Sequence, residues 1–333
     1  MFAPAFWYAP RPGLAAMALW PWAVAYAGAA RLHGRLRARR AYYAGVPVIS
    51  VGNLVVGGAG KTPVVQWLAA HYAAQGHQVA VLSRGYGSQA TYPQQVNPHT
   101  HSAAQVGDEP LALARALAGH AVVVWVGRNR PAVARRAEQS GATLLILDDG
   151  FQRRDVARSC DILVLNGLSP WGNGLPLPAG PLREPLSARR RAHFAIVINE
   201  PAPTGKPRPT LPYYGLPAYR LTTRLAPASV AALRGKPLLA FAGLAHPDKF
   251  MRSLAAEGLI LAAAIAFPDH HPYSAANLTY LRQRAAESKA TLVTTSKDAA
   301  RLPPNFAQVA ELELTGAQQT DILTEIDEYL AAV

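Results

Sequence analysis

The chain reads as an α/β protein with a large α/β/α domain, a second, smaller α/β domain and an apolar N-terminal helix. Three observations predict this. From Pro47 onward, short β-branched runs alternate with alanine-rich stretches, the pattern of a parallel sheet covered by helices. That texture breaks at Pro201-Ala-Pro-Thr-Gly-Lys-Pro-Arg-Pro-Thr-Leu-Pro212, which cannot supply continuous ladder donors, and restarts at Pro237. An uncharged apolar run occupies residues 13–30.

The apolar run comes first in the chain. Its 18 residues lie at the lower edge of the roughly 17–25 that span a bilayer as a helix, and Pro21 is expected to kink it near the middle. No Ala-x-Ala pattern follows it, and the basic cluster comes after the run rather than before, so a cleaved signal peptide is disfavoured. We read it as a retained anchor, either a short span or an interfacial helix, with a buried helix of the soluble domain as the bland alternative. Trp7, Tyr8, Trp20, Trp22 and Tyr26 are of the type that settles at the headgroup level. Five arginines then crowd into Arg31-Leu-His-Gly-Arg35-Leu-Arg37-Ala-Arg39-Arg40. The positive-inside tendency expects them, and the domain that follows, in the cytoplasm.

The formal net charge of +13 asks for a polyanionic partner. The arginines follow an apolar anchor and no aromatic platform interleaves with them, so the anionic membrane surface is preferred and nucleic acid is not expected. Half of the residues are hydrophobic, which excludes general disorder, and 333 residues exceed what one core organises comfortably. The single cysteine, Cys160, cannot form an internal disulfide and reads as a buried thiol in a reducing compartment.

In order along the large domain, strands are expected at 47–51, 78–82, 121–126, 143–147, 162–165 and 194–198, with helices at 62–75, 109–117 and 131–139. The smaller domain is expected to hold strands at 237–244, 259–266 and 291–295 and a closing helix at 320–331. The resulting partition is a membrane-associating segment 1–40, a nucleotide-binding domain 41–200, a Pro-rich linker region 201–236 and a smaller α/β domain 237–333.

The reason for calling the large domain nucleotide-binding is Val48-Ile-Ser-Val-Gly52-Asn-Leu-Val-Val-Gly57-Gly58-Ala-Gly60-Lys61-Thr62-Pro63, which reads as strand, glycine loop and helix start. Gly57, Gly58 and Gly60, with Ala59 between them, let backbone N–H groups turn toward one anion, and the helix adds its positive end. Lys61 suits the β- and γ-phosphates of ATP, and the Thr62 hydroxyl suits Mg2+. The strict pattern requires glycine five residues before Gly60, where this chain has Val55, so the match is to a variant P-loop.

Downstream, Thr143-Leu-Leu-Ile-Leu147 ends in Asp148-Asp149-Gly150, two carboxylates at the sheet's carboxyl edge whose repulsion a divalent cation relieves. A surface turn is the bland account. Asp108, in Val106-Gly-Asp-Glu-Pro110, fits a helix cap or a catalytic base equally. Phe267-Pro-Asp269-His270-His271-Pro-Tyr273 puts an acid and two imidazoles in one loop. Adjacent histidines point different ways, so one proton-handling histidine fits better than a two-histidine metal site. His99 and His101 read as solvated loop.

Taken in order, these segments carry a resemblance. Val51-Gly-Asn-Leu-Val-Val-Gly-Gly-Ala-Gly-Lys-Thr-Pro63, Leu82-Ser-Arg-Gly-Tyr-Gly87, Val106-Gly-Asp-Glu-Pro110 and Asp148-Asp-Gly-Phe-Gln152 come first, followed by Leu177-Pro-Ala-Gly-Pro-Leu-Arg-Glu-Pro185, Phe267-Pro-Asp-His-His271 and Thr294-Thr-Ser-Lys-Asp298. Together they resemble the tetraacyldisaccharide 4'-kinase family. The resemblance implies ATP- and Mg2+-dependent phosphorylation of the 4'-hydroxyl of a tetraacyldisaccharide 1-phosphate, a lipid A precursor, with no protein partner expected. It also implies Asp108 as general base with His270 as its partner, Lys61 as a catalytic cation, and Asp148 and Asp149 as the magnesium-associated acids beside Thr62. It assigns Asn53, Arg84, Glu109, Arg183 and Glu184 to the cleft. This chain departs from the family at Arg153, where the family usually has histidine, and at Ser296, where it usually has glutamate. The alternative is a membrane-recruited P-loop ATPase switch; such proteins carry lysine before the glycine pair, and Val56 stands there.

Overall fold

The structure, a computed structural model, describes residues 4–199, 215–244 and 246–332. The Pro-rich stretch 201–212 lies outside the described residues. The strands are β1 (Val48–Gly52), β2 (Val79–Ser83), β3 (Gln94–Gln95), β4 (Val122–Val126), β5 (Leu144–Asp148), β6 (Cys160–Asn166) and β7 (Phe194–Ile198), then β8 (Ala218–Leu225), β9 (Leu238–Ala242), β10 (Leu261–Ala266), β11 (Thr291–Thr294), β12 (Gln308–Val309) and β13 (Leu312–Thr315). The first eight and the last form one sheet in the order β13-β8-β7-β6-β1-β5-β2-β4-β3. Its interior pairs are parallel, and only β3 and β13, at the edges, run antiparallel to their neighbours.

The central strands are mostly apolar because helices cover both faces. Every residue of β1, β2, β5 and β7 is buried, as expected of a parallel sheet with no solvated side. One face packs on the helix Lys61–Ala74 through Val64, Val65, Leu68 and Tyr72, the other on the helix Arg130–Gln139 through Val133, Ala134 and Ala137. From β1 the chain moves toward β2, and from β5 it returns past β1 to β6. Connections leaving in opposite directions open a crevice at the carboxyl ends of β1 and β5, where ligands of open α/β sheets bind.

The second sheet is parallel and ordered β10-β9-β11-β12. β8 falls within 201–236, and β13 and the helix Gln319–Ala331 follow β12, so the chain returns to the large sheet after building the small one. β8 alternates exposed positions with buried or half-buried ones, a pattern weaker than a continuous apolar run. The last helix is tied down by Tyr72, whose hydroxyl donates to Asp327 at 2.8 Å.

At the N-terminus the helices Leu14–Ala18 and Trp20–Ala38 are separated at Leu19. The expected mid-helix kink at Pro21 is absent; the proline sits in the first turn of the second helix, where its missing N–H costs nothing. Among the described residues no helix is long and apolar enough to cross a membrane. This segment grips the loop before Arg183: Trp7 Nε1 donates to the Pro178 carbonyl at 3.0 Å, and Tyr26 Oη donates to the Arg183 carbonyl at 3.0 Å. Arg31 reaches Ser187 Oγ at 2.7 Å. Leu14, Met17, Trp20, Trp22, Val24, Leu32 and Leu36 remain exposed.

Gly52 marks where β1 meets the Asp148–Gln152 turn. A Cβ at this position would lie 2.5 Å from Phe151 Cβ and 2.7 Å from its backbone nitrogen. Gly52→Ala is therefore expected to lower stability by about 1–3 kcal/mol, the cost of overpacking a filled core. Urea denaturation measures it, and an unchanged midpoint would refute the close packing.

Candidate functional site

The crevice at the ends of β1 and β5 is lined first by the glycine loop. Between Gly52 and the helix Lys61–Ala74, Gly57 and Gly60 take φ of +110° and +88°, a region that side-chain-bearing residues rarely adopt. Gly58 lacks a positive φ, but beyond both Gly57 and Gly58 the space where a Cβ would stand is open to 4 Å, leaving room for an anion to meet the backbone. Ala59 is buried beneath. The first half of the loop is braced by its neighbours: Val56 N–H donates to Pro181 O at 2.8 Å and Arg183 N–H to Leu54 O at 2.7 Å. Buried Asn53 donates to Val55 O at 2.7 Å and accepts from Lys61 Nζ at 3.2 Å, holding the ammonium over the loop.

Across from the loop, the end of β5 delivers the two acids into different surroundings. Asp148 is buried and accepts from Ser83 Oγ at 3.2 Å, while buried Arg130 donates to its backbone carbonyl at 2.8 Å. Burial, aided by the charges of Glu109 and Asp149, pushes its carboxyl up to about 6. Asp149 has φ +52° and turns back toward the loop. Burial opposes its ionisation, yet Lys61 at 3.4 Å and Arg183 at 2.7 Å outweigh that and hold its carboxyl below the ordinary value. Two neighbouring carboxylates are thus driven in opposite directions by their environments.

From the second unit, the loop after β10 brings His270 to Asp108, with Nδ1 at 2.9 Å from Oδ2. Asp108 is the first residue of the helix Asp108–Ala116, whose N-cap is Gly107, so the carboxyl is not spent on capping. Its Oδ1 accepts from Glu109 N–H at 3.0 Å. The neighbouring His271 faces elsewhere, bonded through Nε2 to Asn277 at 2.9 Å and stacked on Phe267. Glu109 ion-pairs with Lys297 at 2.9 Å.

The other residues picked from the sequence divide. Asn53, Lys61, Thr62, Asp148, Asp149 and Arg183 gather around the glycine loop, and Asp108, Glu109 and His270 gather where the two units meet. Arg84, exposed at the end of β2, lies within electrostatic reach of Arg153. The Glu184 carboxylate is taken by Arg191 in a bidentate pair at 2.8 and 2.9 Å, away from the Asp149 cluster. Sequence reasoning passed over Ser83, Arg130, Lys297 and Arg301. Two of these carried a signal, since Ser83 lies inside the quoted Leu82-Ser-Arg-Gly-Tyr-Gly87 motif and Lys297 inside Thr294-Thr-Ser-Lys-Asp298.

The donors suit magnesium. Among the described residues no group of three or more His, Cys, Asp or Glu side chains could hold a metal, but magnesium normally takes one or two carboxylates and leaves the rest to phosphate and water. Asp148 and Asp149 with the Thr62 hydroxyl supply such a hard-oxygen set. The proton affinity of buried Asp148 shows the unrelieved charge that a cation would balance.

The comparisons with known proteins agree with one another. The sequence model of the LpxK family, tetraacyldisaccharide-1-P 4'-kinase, matches residues 15–331. The chain is 45% identical over 333 residues to the tetraacyldisaccharide 4'-kinase of Rhodospirillum centenum, covering 98% of this chain and 96% of that one. It is 43% identical over 336 residues to the enzyme of the same name from Methylobacterium sp. strain 4-46, covering 100% and 98%. The crystal structure of "apo" form LpxK from Aquifex aeolicus in complex with ATP superposes with a TM-score of 0.75 at 27% identity, covering 95% of this chain and 99% of that one.

The environment of Asp148 has a measurable consequence. Because its folded pKa of about 6 lies above that of an ordinary carboxylate, the native state holds the proton more tightly than the unfolded chain. That contribution is complete below about pH 4 and is lost as pH rises through the folded value. The ligand-free wild type should therefore lose on the order of 2–3 kcal/mol relative to Asp148→Asn between acidic and neutral pH. Denaturant unfolding of both proteins across that range reads it out, and parallel curves would contradict it.

Proposed function

The chain belongs to the tetraacyldisaccharide-1-P 4'-kinase family, and on that premise we propose that it transfers the γ-phosphoryl group of ATP to the 4'-hydroxyl of a tetraacyldisaccharide 1-phosphate, a lipid A precursor. The observation that carries the reading at the level of residues is the 2.9 Å hydrogen bond between His270 Nδ1 and Asp108 Oδ2. It joins the two units close enough to the metal-type acids for Glu109 to raise the carboxyl of Asp148.

In this reading the glycine-loop amides and the start of the helix Lys61–Ala74 hold the phosphates, and Lys61 leaves Asp149 to balance charge on the γ-phosphoryl oxygens. Thr62, Asp148 and Asp149 would hold magnesium, which when bound would neutralise charge on the phosphates. Arg183, which pairs with Asp149 at 2.7 Å, faces the same phosphate-binding edge. Asp108 accepts the proton of the attacking hydroxyl while the new O–P bond forms, the bond to the β–γ bridging oxygen breaks and ADP leaves. His270 donates to Asp108 Oδ2, and Oδ1, which accepts one bond from Glu109 N–H, keeps a second lone pair for the acceptor hydroxyl. Positioning and charge supply most of the acceleration, since phosphoryl transfer leaves little covalent chemistry to the protein.

The acceptor is acylated, which gives the N-terminal segment its purpose. Exposed Leu14, Met17, Trp20 and Trp22 precede the five arginines from Arg31 to Arg40. That order suits an interfacial helix on an anionic leaflet, the cytoplasmic face of the inner membrane. The segment also hydrogen-bonds to the loop carrying Arg183, so the surface that meets lipid is built onto the cleft.

Detergent-solubilised enzyme with labelled ATP and a tetraacyldisaccharide monophosphate should yield a product phosphorylated at the 4' position, identified by mass analysis; label appearing only as free phosphate would overturn the assignment. Asp108→Ala should cut transfer by about 10²–10⁴ with ATP affinity retained, whereas Lys61→Ala should weaken both. Equal loss of ATP binding in the two variants would rule against Asp108 as base. Trp22→Ala should weaken partitioning onto anionic vesicles by about tenfold, the equivalent of one buried aromatic side chain; unchanged sedimentation with vesicles would move the membrane contact elsewhere.

A further inference from the structure

The motif Thr294-Thr-Ser-Lys-Asp298 has no part in the reaction as derived so far, yet it packs against the histidine. Lys297 Nζ lies 3.3 Å from His270 Nε2 and 2.9 Å from Glu109 Oε1. An ammonium has three donors and no acceptor, so a ring nitrogen facing it must offer a lone pair. A neutral imidazole has one N–H, and with Nε2 accepting, that N–H is at Nδ1, the atom 2.9 Å from Asp108 Oδ2. We propose that Lys297 is a positioning residue that fixes His270 as the neutral, Nδ1-protonated tautomer that donates to Asp108. The inference rests on the reading of Asp108 as the base.

The surroundings support this tautomer over its alternative. The group that would favour a proton on Nε2, Asp269 Oδ1, stands farther away, at 3.9 Å. The reversed tautomer would set the Nδ1 lone pair against the Asp108 carboxylate and an N–H against an ammonium, two unfavourable contacts at once. Lys297 and His270 are also held to a common point. The Gly243 carbonyl accepts from His270 N–H at 3.2 Å, and the Gly243 N–H donates at 2.9 Å to Asp298, the residue after Lys297. Asp298 is wholly buried and is tied further by Tyr273 at 2.8 Å, Thr295 at 2.7 Å and Arg301 at 2.8 Å. Arg301 directs its Nε toward Asp108 Oδ2 at 3.7 Å, so both members of the pair face a cation from this one segment.

The test uses full-length enzyme carrying 15N-labelled histidine, with the His270 signals identified by their loss in His270→Gln. Wild type should show a protonated Nδ1 and an unprotonated Nε2, and Lys297→Met should show a mixed or reversed pattern. Lys297→Met should also lower kcat by about tenfold or more with the KM for ATP little changed, and Lys297→Arg, which keeps a donor cation, should recover most of it. In the His270→Gln background Lys297→Met should cost nothing further, because it acts through the missing ring. An unaltered ring pattern in Lys297→Met, or an equal loss in both backgrounds, would overturn the proposal. The underlying reading fails separately: Asp108→Ala with undiminished transfer defeats the base assignment whatever the tautomer.

Discussion

Lys61 and Arg183 converge on the carboxylate of Asp149, and the arrangement of the cleft follows from that convergence. Lys61 comes from the glycine loop after β1, Asp149 from the turn after β5, and Arg183 from a loop that pairs with the glycine loop through Leu54 and Val56. Three segments distant in sequence are thereby held at one sheet edge. The cations outweigh the burial that opposes ionisation of Asp149, whereas at neighbouring Asp148 burial prevails and raises the carboxyl. The cluster holds opposite charges in the balance that a bound phosphate and its counter-ion would exchange.

The same loop links the cleft to the N-terminal helices. Tyr26 bonds the carbonyl of Arg183, and Trp7 bonds that of Pro178, so the exposed apolar side chains near Trp20 and Trp22 sit on an element attached to the Asp149 cluster. On the proposed function, that attachment would let a surface resting on lipid also set the distance between the membrane and the glycine loop.

The second unit contributes through a few directed contacts. Its helix Ser296–Ala299 packs on the helix Asp108–Ala116, and Arg115 reaches the Ala299 carbonyl at 3.1 Å. His270 and Lys297 extend from that junction to Asp108 and Glu109. Glu184 shows the contrasting case: quoted in the same string as Arg183, it pairs with Arg191 and anchors its loop. Adjacent residues in one motif thus serve different ends, which no spacing rule separates.

The large sheet, its parallel interior and the glycine loop were legible because each depends on local pattern: continuous apolar runs for doubly covered strands, and glycines where a backbone must turn amides to an anion. The edge strands β3 and β13, and β8 beside β13, were not, since partly buried segments owe their pairing to neighbours rather than to their own composition. Pro21 shows the same limit, for its presence was plain but whether it kinks a helix or begins one depended on where the helix starts. By itself the sequence determined the chemistry available: a phosphate cradle, two adjacent acids, an aspartate after a glycine, and a pair of histidines. The resemblance already named His270 as the partner of Asp108; only the tertiary structure decided which acid is neutralised by cations and that Lys297 stands behind the histidine. Those outcomes are set by distances between residues far apart in the chain, and electrostatic and hydrogen-bond energies depend on distance and burial, which no residue type carries alone.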